Sequence, residues 1–306
     1  MGKVSVAEIK ELMKSTGVGM MDCKKALEAN DGDMDKAIEF LREKGLATQA
    51  KKSGRAAAEG IVAAVVKGET GVLLEVHTET DFAANTDDIK NFVSGVANTI
   101  IEQNPADVEA LKAMTISGGT STVGEVLTEL AGMKIRENIV IRRFVRMEGK
   151  LASYIHNGGS IGVMVKLDTD LSAEQVASIG KDVAMQSAAL NAPYLRREDV
   201  PAEVIEKEKE IMLAQMSEDP KMASKPEQVR VKIVEGKVGK YYSENCLLEQ
   251  SFVKDDKLTV QQYVDAEAKK LGGSVKVVDV IRYERGEGVE KKEDNLADEV
   301  ANMIKK

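Results

Sequence analysis

Two stretches of this chain, 89 residues apart, carry the same order of elements, and that repetition narrows the fold more than any other feature. "GIVAAVVKGETGVLLEVHTETD" from Gly60 reads as strand, tight glycine turn and strand. It then passes through Thr80-Asp81 into the amphipathic helix "NTDDIKNFVSGVANTIIEQN". "GKLASYIHNGGSIGVMVKLDTD" from Gly149 reads the same way, through Thr169-Asp170 into a helix over "LSAEQVASIGKDVAMQSA". Gly60 therefore matches Gly149, and Thr80-Asp81-Phe82 matches Thr169-Asp170-Leu171. A lone hairpin is barely stable in water, so each copy needs a helix packed on its apolar face. The duplication predicts an α+β protein with two related core halves, each a small antiparallel sheet backed by helices. In the first half, Ile89, Phe92, Val93, Val96 and Ile100 share one helix face, and "ENIVIRRFVRME", Glu137–Glu148, supplies a further strand.

Around this core the pattern changes three times. Residues 1–55 read as three short helices. The first has Ser5 as N-cap, Glu8 three residues on, and Val6, Ile9, Leu12 and Met13 on one stripe. The second is "MMDCKKALEAN"; the third turns Ile38 and Leu41 inward and ends at Gly45. "EKGLATQAKKSGRAAAEG" follows as a small, charged linker, partly helical. Residues 200–242 form two charged helices joined by "SEDPKMAS", with Val204, Ile205, Ile211, Met212 and Met216 as a narrow apolar stripe. Such a hairpin reads either as a solvated pair or as a surface for self-association. Strands resume at "SVKVVDVIRYERGEG", and "EDNLADEVANMIKK" reads as a last amphipathic helix.

The chemistry needed for catalysis is sparse. Two histidines, His77 in mid-strand and His156 before the turn "NGGSIG", have no Cys, Asp or Glu at metal-ligand spacing. "NGGSIG" lacks the Lys-Ser/Thr and the helix that a phosphate cradle requires. Cys23 and Cys246 stand alone in separate contexts, which suits a reducing cytosol better than a disulfide framework. The formal charge of -8 argues against direct nucleic-acid binding, despite the local Lys51, Lys52 and Arg55 patch. No apolar window is long enough to span a membrane, and the N-terminus has neither a signal core nor a myristoylation pattern, since Val6 takes the Ser/Thr position. The chain reads as a cytoplasmic non-enzyme without cofactor or metal, acting by binding another protein.

Candidate contact residues follow from residues that sit oddly. Met20 and Met21 are adjacent at a helix start; one belongs in the core and the other is exposed. Phe82, one of five phenylalanines in a chain without tryptophan, stands where the sequence turns acidic, while the second copy has Leu171. Phe82 is read either as a cap on the first core or as an outward contact.

"TGVGMMDCKKAL", Thr16–Leu27, together with "TETDFAAN", Thr78–Asn85, resembles elongation factor Ts, the bacterial nucleotide-exchange factor for elongation factor Tu. The second segment matches the family pattern E-x-x-x-[QE]-T-D-F through Glu75, Glu79, Thr80, Asp81 and Phe82. "ENIVIRR", "SYIHNGGSIGV", "PAEVIEKE" and "GEGVEK" follow in the family's order, so the likeness runs from about residue 4 to the tail. The resemblance implies a three-helix module like a ubiquitin-associated domain with its linker (1–55), a first core subdomain (56–148), and a second (149–199 and 243–287). It further implies an inserted helical hairpin (200–242) and a C-terminal helical module (288–306).

It also implies that Asp81 and Phe82, with Thr80 before them and Ile135 beside them, act on the GTPase domain of the partner. Met20, Met21 and Lys24 would dock on that same domain, and His156 and Val253 would touch another. Five positions depart from the family: Met13 replaces a frequent Arg, Arg136 a common Gly and Ala83 a frequent Val, and His77-Thr78 is unusual before Glu79. Two rival readings are a ubiquitin-associated adaptor without exchange activity and an enzyme built on His77 or His156.

Overall fold

The computed structural model describes residues 4–289. Helix α1 (Val6–Thr16) starts at Ser5, whose side chain and Glu8 form a reciprocal capping box, and it stops at the left-handed Gly17. Ile9 and Leu12 are buried, but Val6 is 64% exposed. Val4, two residues earlier, packs against that core instead. Helix α2 (Met20–Ala29) buries Cys23, Ala26 and Leu27, and helix α3 (Met34–Lys52) buries Ala37 and Leu41 against them.

Gly45 does not end α3, which continues seven residues further to Lys52 and takes up most of the expected linker. A glycine inside a helix costs about 1 kcal/mol relative to alanine, so something must require it. Two contacts bear on it: a Cβ on Gly45 would stand 3.3 Å from the Met133 side chain, and a Cβ on Gly132 would lie 2.3 Å from the Gly45 carbonyl oxygen. Gly132 sits in a π-helical turn (Leu130–Lys134), and α3 crosses it with two bare backbones touching. Met133 beside it inserts into the core of the N-terminal helices, and Thr128 donates to Gln49 at 2.8 Å.

The two halves have one design. In the first lobe β1 (Glu59–Lys67) and β2 (Thr70–Thr78) form the hairpin, followed by the single turn α4 (Asp81–Ala84), α5 (Asp87–Gln103), α6 (Val108–Ala113) and α7 (Val123–Glu129). Strand β3 (Val140–Glu148) then pairs antiparallel with β2, giving the order β1-β2-β3. In the second lobe β4 (Lys150–His156), β5 (Ile161–Thr169) and α8 (Ala173–Ala189) repeat the hairpin and helix. The chain then leaves the core for the inserted helices α9 (Ala202–Glu218), α10 (Pro220–Ala223) and α11 (Glu227–Asn245). It returns through β6 (Ser251–Phe252), β7 (Asp255–Thr259) and α12 (Val260–Lys270) to β8 (Val275–Glu284), which completes the order β4-β5-β8.

The matched glycines keep the same conformation, φ 133° at Gly60 and 124° at Gly149, a region that side chains rarely enter. At Gly60 a Cβ would meet the Val76 carbonyl oxygen at 2.1 Å. Val72, Leu74 and Val76 pack on Ile89, Phe92, Val93, Val96 and Ile100 of α5, while Val163, Val165 and Leu167 pack on Val176, Ile179 and Val183 of α8. On their other faces the two sheets meet each other through Val62, Leu73, Met147, Met164 and Tyr283. That is why β2 is buried along nearly its whole length.

In the inserted hairpin Ile205, Met216, Val234 and Val238 form the seam, joined at its base by Val200 and Cys246. Ile211, expected in that stripe, is 41% exposed because it sits one residue, and so about 100° of helix, away from the seam residue Met212. The expected C-terminal helix lies outside the described residues.

Gly132→Ala should lower the melting temperature, with a cost of about 1–3 kcal/mol from overpacking against Gly45. Helix propensity alone would predict the opposite sign. Calorimetry of the variant separates the two.

Candidate functional site

The tip that follows β2 is built by two polar residues and what they hold. Thr80 caps α4 by accepting from the Ala83 amide at 3.2 Å. Its own amide and hydroxyl both donate to the Glu137 carboxylate, at 3.0 and 2.7 Å. Glu79 accepts from the Asn138 amide at 2.6 Å, and the Asn138 side chain donates to the Ser53 and Arg55 carbonyls. The segment before β3 is thus pinned to the tip and to the end of α3. Glu137 and Asn138, expected to open a strand, precede it, since β3 begins only at Val140.

On this braced turn Asp81 and Phe82 point away from the body. Ala83 and Ala84 fill the inner side of α4, leaving Phe82 84% exposed and outside every hydrophobic cluster among the described residues. The Asp81 carboxylate has no hydrogen bond or ion pair among the described residues, although its backbone carbonyl accepts from Asn85. The second copy differs. Leu171 packs against the second core, and Asp170 is tied to the Ser274 amide at 2.8 Å, with its pKa lowered chiefly by that bond. Ile135 is half-buried against the first core, two residues from the Glu137 that holds Thr80.

Beneath the tip lies a carboxylate cut off from water. Glu75 is fully buried and accepts from Arg143 Nε at 2.6 Å, Arg142 Nη1 at 3.1 Å and the Gly286 amide at 3.1 Å. His77 Nε2 is 2.6 Å away; a carboxylate only accepts, so the imidazole donates from that nitrogen. Burial by itself would raise the Glu75 pKa, but the His77 and Arg143 hydrogen bonds outweigh it and bring it down to about 2. Arg143 also pairs with Glu287 at 3.0 Å and lies 4.0 Å over the Tyr283 ring. His77 is therefore part of a structural anchor between the lobes.

The N-terminal contact residues lie on α2. Met20 and Met21 are both exposed, at 49% and 64%. Neither is core, because Val18 and Cys23 on either side of them already fill that space. Lys24 is exposed and within 3.6 Å of Glu28. Asp22, between the methionines and Lys24 in sequence, reaches across to Arg136, which directly follows Ile135.

In the second lobe His156 is exposed, with its ring near the Tyr154 hydroxyl at 3.1 Å, and Val253 is 46% exposed. Among the described residues no hydrogen bond or ion pair joins either of them to the tip. Val253 is held by Gln186, a fully buried amide that accepts from the Val253 amide and donates to Gln250 and Ser251. Gln186 gave no sequence signal, since its partners lie 64 to 67 residues away along the chain. Among the described residues no cluster of three or more His, Cys, Asp or Glu is placed to hold a metal.

A duplicated α+β body that displays an aromatic on a braced tip, with a methionine edge linked to it, has the build of a protein-docking scaffold. A family model described as "Elongation factor TS" matches residues 79–287. Proteins named elongation factor Ts from Trichlorobacter lovleyi and Syntrophotalea carbinolica are 48% and 46% identical, covering 97% and 99% of this chain and 97% and 100% of their own lengths. One from Clostridium kluyveri is 46% identical over 98% of this chain and 99% of its own. The chain belongs to the elongation factor Ts family.

Glu75→Gln should cost about 3 kcal/mol, because it leaves the arginines facing a neutral amide. Folding depresses this pKa below the ordinary 4.5, so the stability from ionised Glu75 is complete above that pH and drains away as the pH falls toward 2. Urea midpoints of both proteins across pH 2–7 should converge at the acid end.

Proposed function

We propose that the chain is a guanine-nucleotide exchange factor that binds elongation factor Tu in the cytoplasm and promotes release of its GDP. The observation that carries this reading is Phe82. It is a large aromatic kept out of every described core, on a tip whose threonine, glutamate and asparagine bonds prevent it from folding back. Leaving such a residue in water has a cost that is recovered when a partner's pocket covers it.

The mechanism is linkage. If the bound factor weakens the partner's hold on the nucleotide, the nucleotide weakens the factor's hold by the same ratio. Phe82 enters the GTPase domain as a wedge, and Asp81 beside it makes the polar contact that sets its direction. Met20, Met21 and Lys24 provide a second contact to that domain; thioethers adapt to an irregular surface. His156 and Val253 in the second lobe meet another domain of the partner. The factor makes and breaks no covalent bond, and the nucleotide and its magnesium are held by the GTPase. An adaptor built on the N-terminal helices alone would have no use for the Phe82 tip.

Phe82→Ala should fold as the parent does, with an unchanged melting temperature, because the ring is exposed. It should lose about 2–4 kcal/mol of interface energy, roughly a hundredfold in stimulated GDP release. Fluorescent GDP displacement from elongation factor Tu is the measurement, and an unchanged rate overturns the wedge. The matched change in the other lobe, Leu171→Ala, should do the reverse: a lower melting temperature, with about 2 kcal/mol lost, and exchange retained wherever the protein is folded.

A further inference from the structure

Arg136 occupies a backbone conformation that its side chain does not favour. Its φ is 62°, in the left-handed region. The other described non-glycine residues there are Asp31, Asn104 and Asn157, types that tolerate it through short polar side chains. An arginine persists in such a place when its surroundings hold it. Three contacts do so: the guanidinium pairs with the Asp22 carboxylate, Nε donates to the Met133 carbonyl at 3.2 Å, and Lys52 donates to the Arg136 carbonyl.

The position of the pair matters more than its strength. Asp22 directly follows the exposed Met20 and Met21 on α2 and also holds Lys44 at 2.7 Å. Arg136 stands between Ile135 and Glu137, and Glu137 holds Thr80 at the base of the Phe82 tip. Among the described residues, the hydrogen bonds joining α2 to the first lobe run through Asp22 and Arg136 alone. The pair itself lines a cavity of about 320 Å³ together with Val18, Lys44, Lys52 and Met133, beside the point where Met133 enters the core of the N-terminal helices.

We propose that the Arg136–Asp22 pair is a positioning latch that sets the methionine edge of α2 relative to the Phe82 wedge, so that both reach the GTPase domain together. The inference rests on the exchange reading above. Arg136 and Asp22 touch no reacting atom; they act through Met20-Met21 on one side and through Glu137 and Thr80 on the other.

The test uses the full chain with elongation factor Tu. Arg136→Gly fits the left-handed backbone without strain, so its melting temperature should hold or rise. Stimulated GDP release at sub-saturating factor should fall by about three- to tenfold, the scale of an ordered Arg–carboxylate contact, and recover at saturation. Asp22→Asn should give a similar loss, the double variant should lose no more than either single, and Arg136→Lys should restore part of the rate. Spin labels on Lys25→Cys and Asp88→Cys, exposed positions outside the contact set, should show a wider distance distribution in Arg136→Gly than in the parent. Parental exchange by Arg136→Gly, additive losses in the double variant, or an unchanged distance distribution would each overturn the latch while Phe82→Ala remains defective. If Phe82→Ala is also without effect, the exchange reading has failed and the latch falls with it.

Discussion

Glu75 has no access to water, and the two lobes are joined through it. Its carboxylate on the central strand of the first sheet gathers two arginines from the neighbouring strand, the imidazole of His77 and the backbone amide of Gly286, which follows the last strand of the second lobe. A buried charge is tolerated only when such partners surround it, and removing one leaves the others stranded. The demand is mutual: Arg143 reaches on to Glu287 and covers Tyr283, which itself packs between the two sheets. The register between the sheets, and the bulge at Glu75/Val76 where the strand bends, are set at this point. Everything that follows on the same strand, including the tip, inherits that orientation.

From this anchor the strand runs five residues to Thr80, and a second polar network takes over. Glu79, Thr80, Glu137 and Asn138 bind one another across the gap between the end of β2 and the approach to β3. They free the α4 turn from any need for apolar contact on its outer side, so Phe82 can stay in water. The second copy made the opposite choice with the same backbone plan. Leu171 turns inward, and Asp170 bonds to Ser274. Duplication thus supplied one lobe that closes its own end and one that holds an end open.

Much of this was legible in the residues because it depends on local rules. The Ser5–Glu8 capping box, the two hairpins and the apolar face of α5 follow from spacing, and the structure places them as read. The misreadings share one cause. Gly45 carries the signal of a helix end, but α3 runs on through it to Lys52, packed there against Gly132 and Met133, 87 and 88 residues away. Adjacency at a helix start assigns one of Met20 and Met21 to the core, but Val18 and Cys23 fill it and both methionines are exposed. Ile211 fell into an apolar stripe whose real seam lies a residue away. Gln186 and Asn138 look like ordinary surface amides until their long-range partners are known.

By itself the sequence determined the elements, the duplication and the contrast between Phe82 and Leu171. Hydrophobic period, capping residues and turn glycines act over a few positions and are written where they act. Tertiary structure alone decided that the two sheets would stack face to face, that Glu75 would be the buried tie between them, and that α3 would run past its glycine. It also decided that Arg136, an apparent misfit in a glycine's place, would meet Asp22. Each of these depends on groups distant in the chain whose desolvation or close approach is favourable only when both are present, and no single stretch of residues records that.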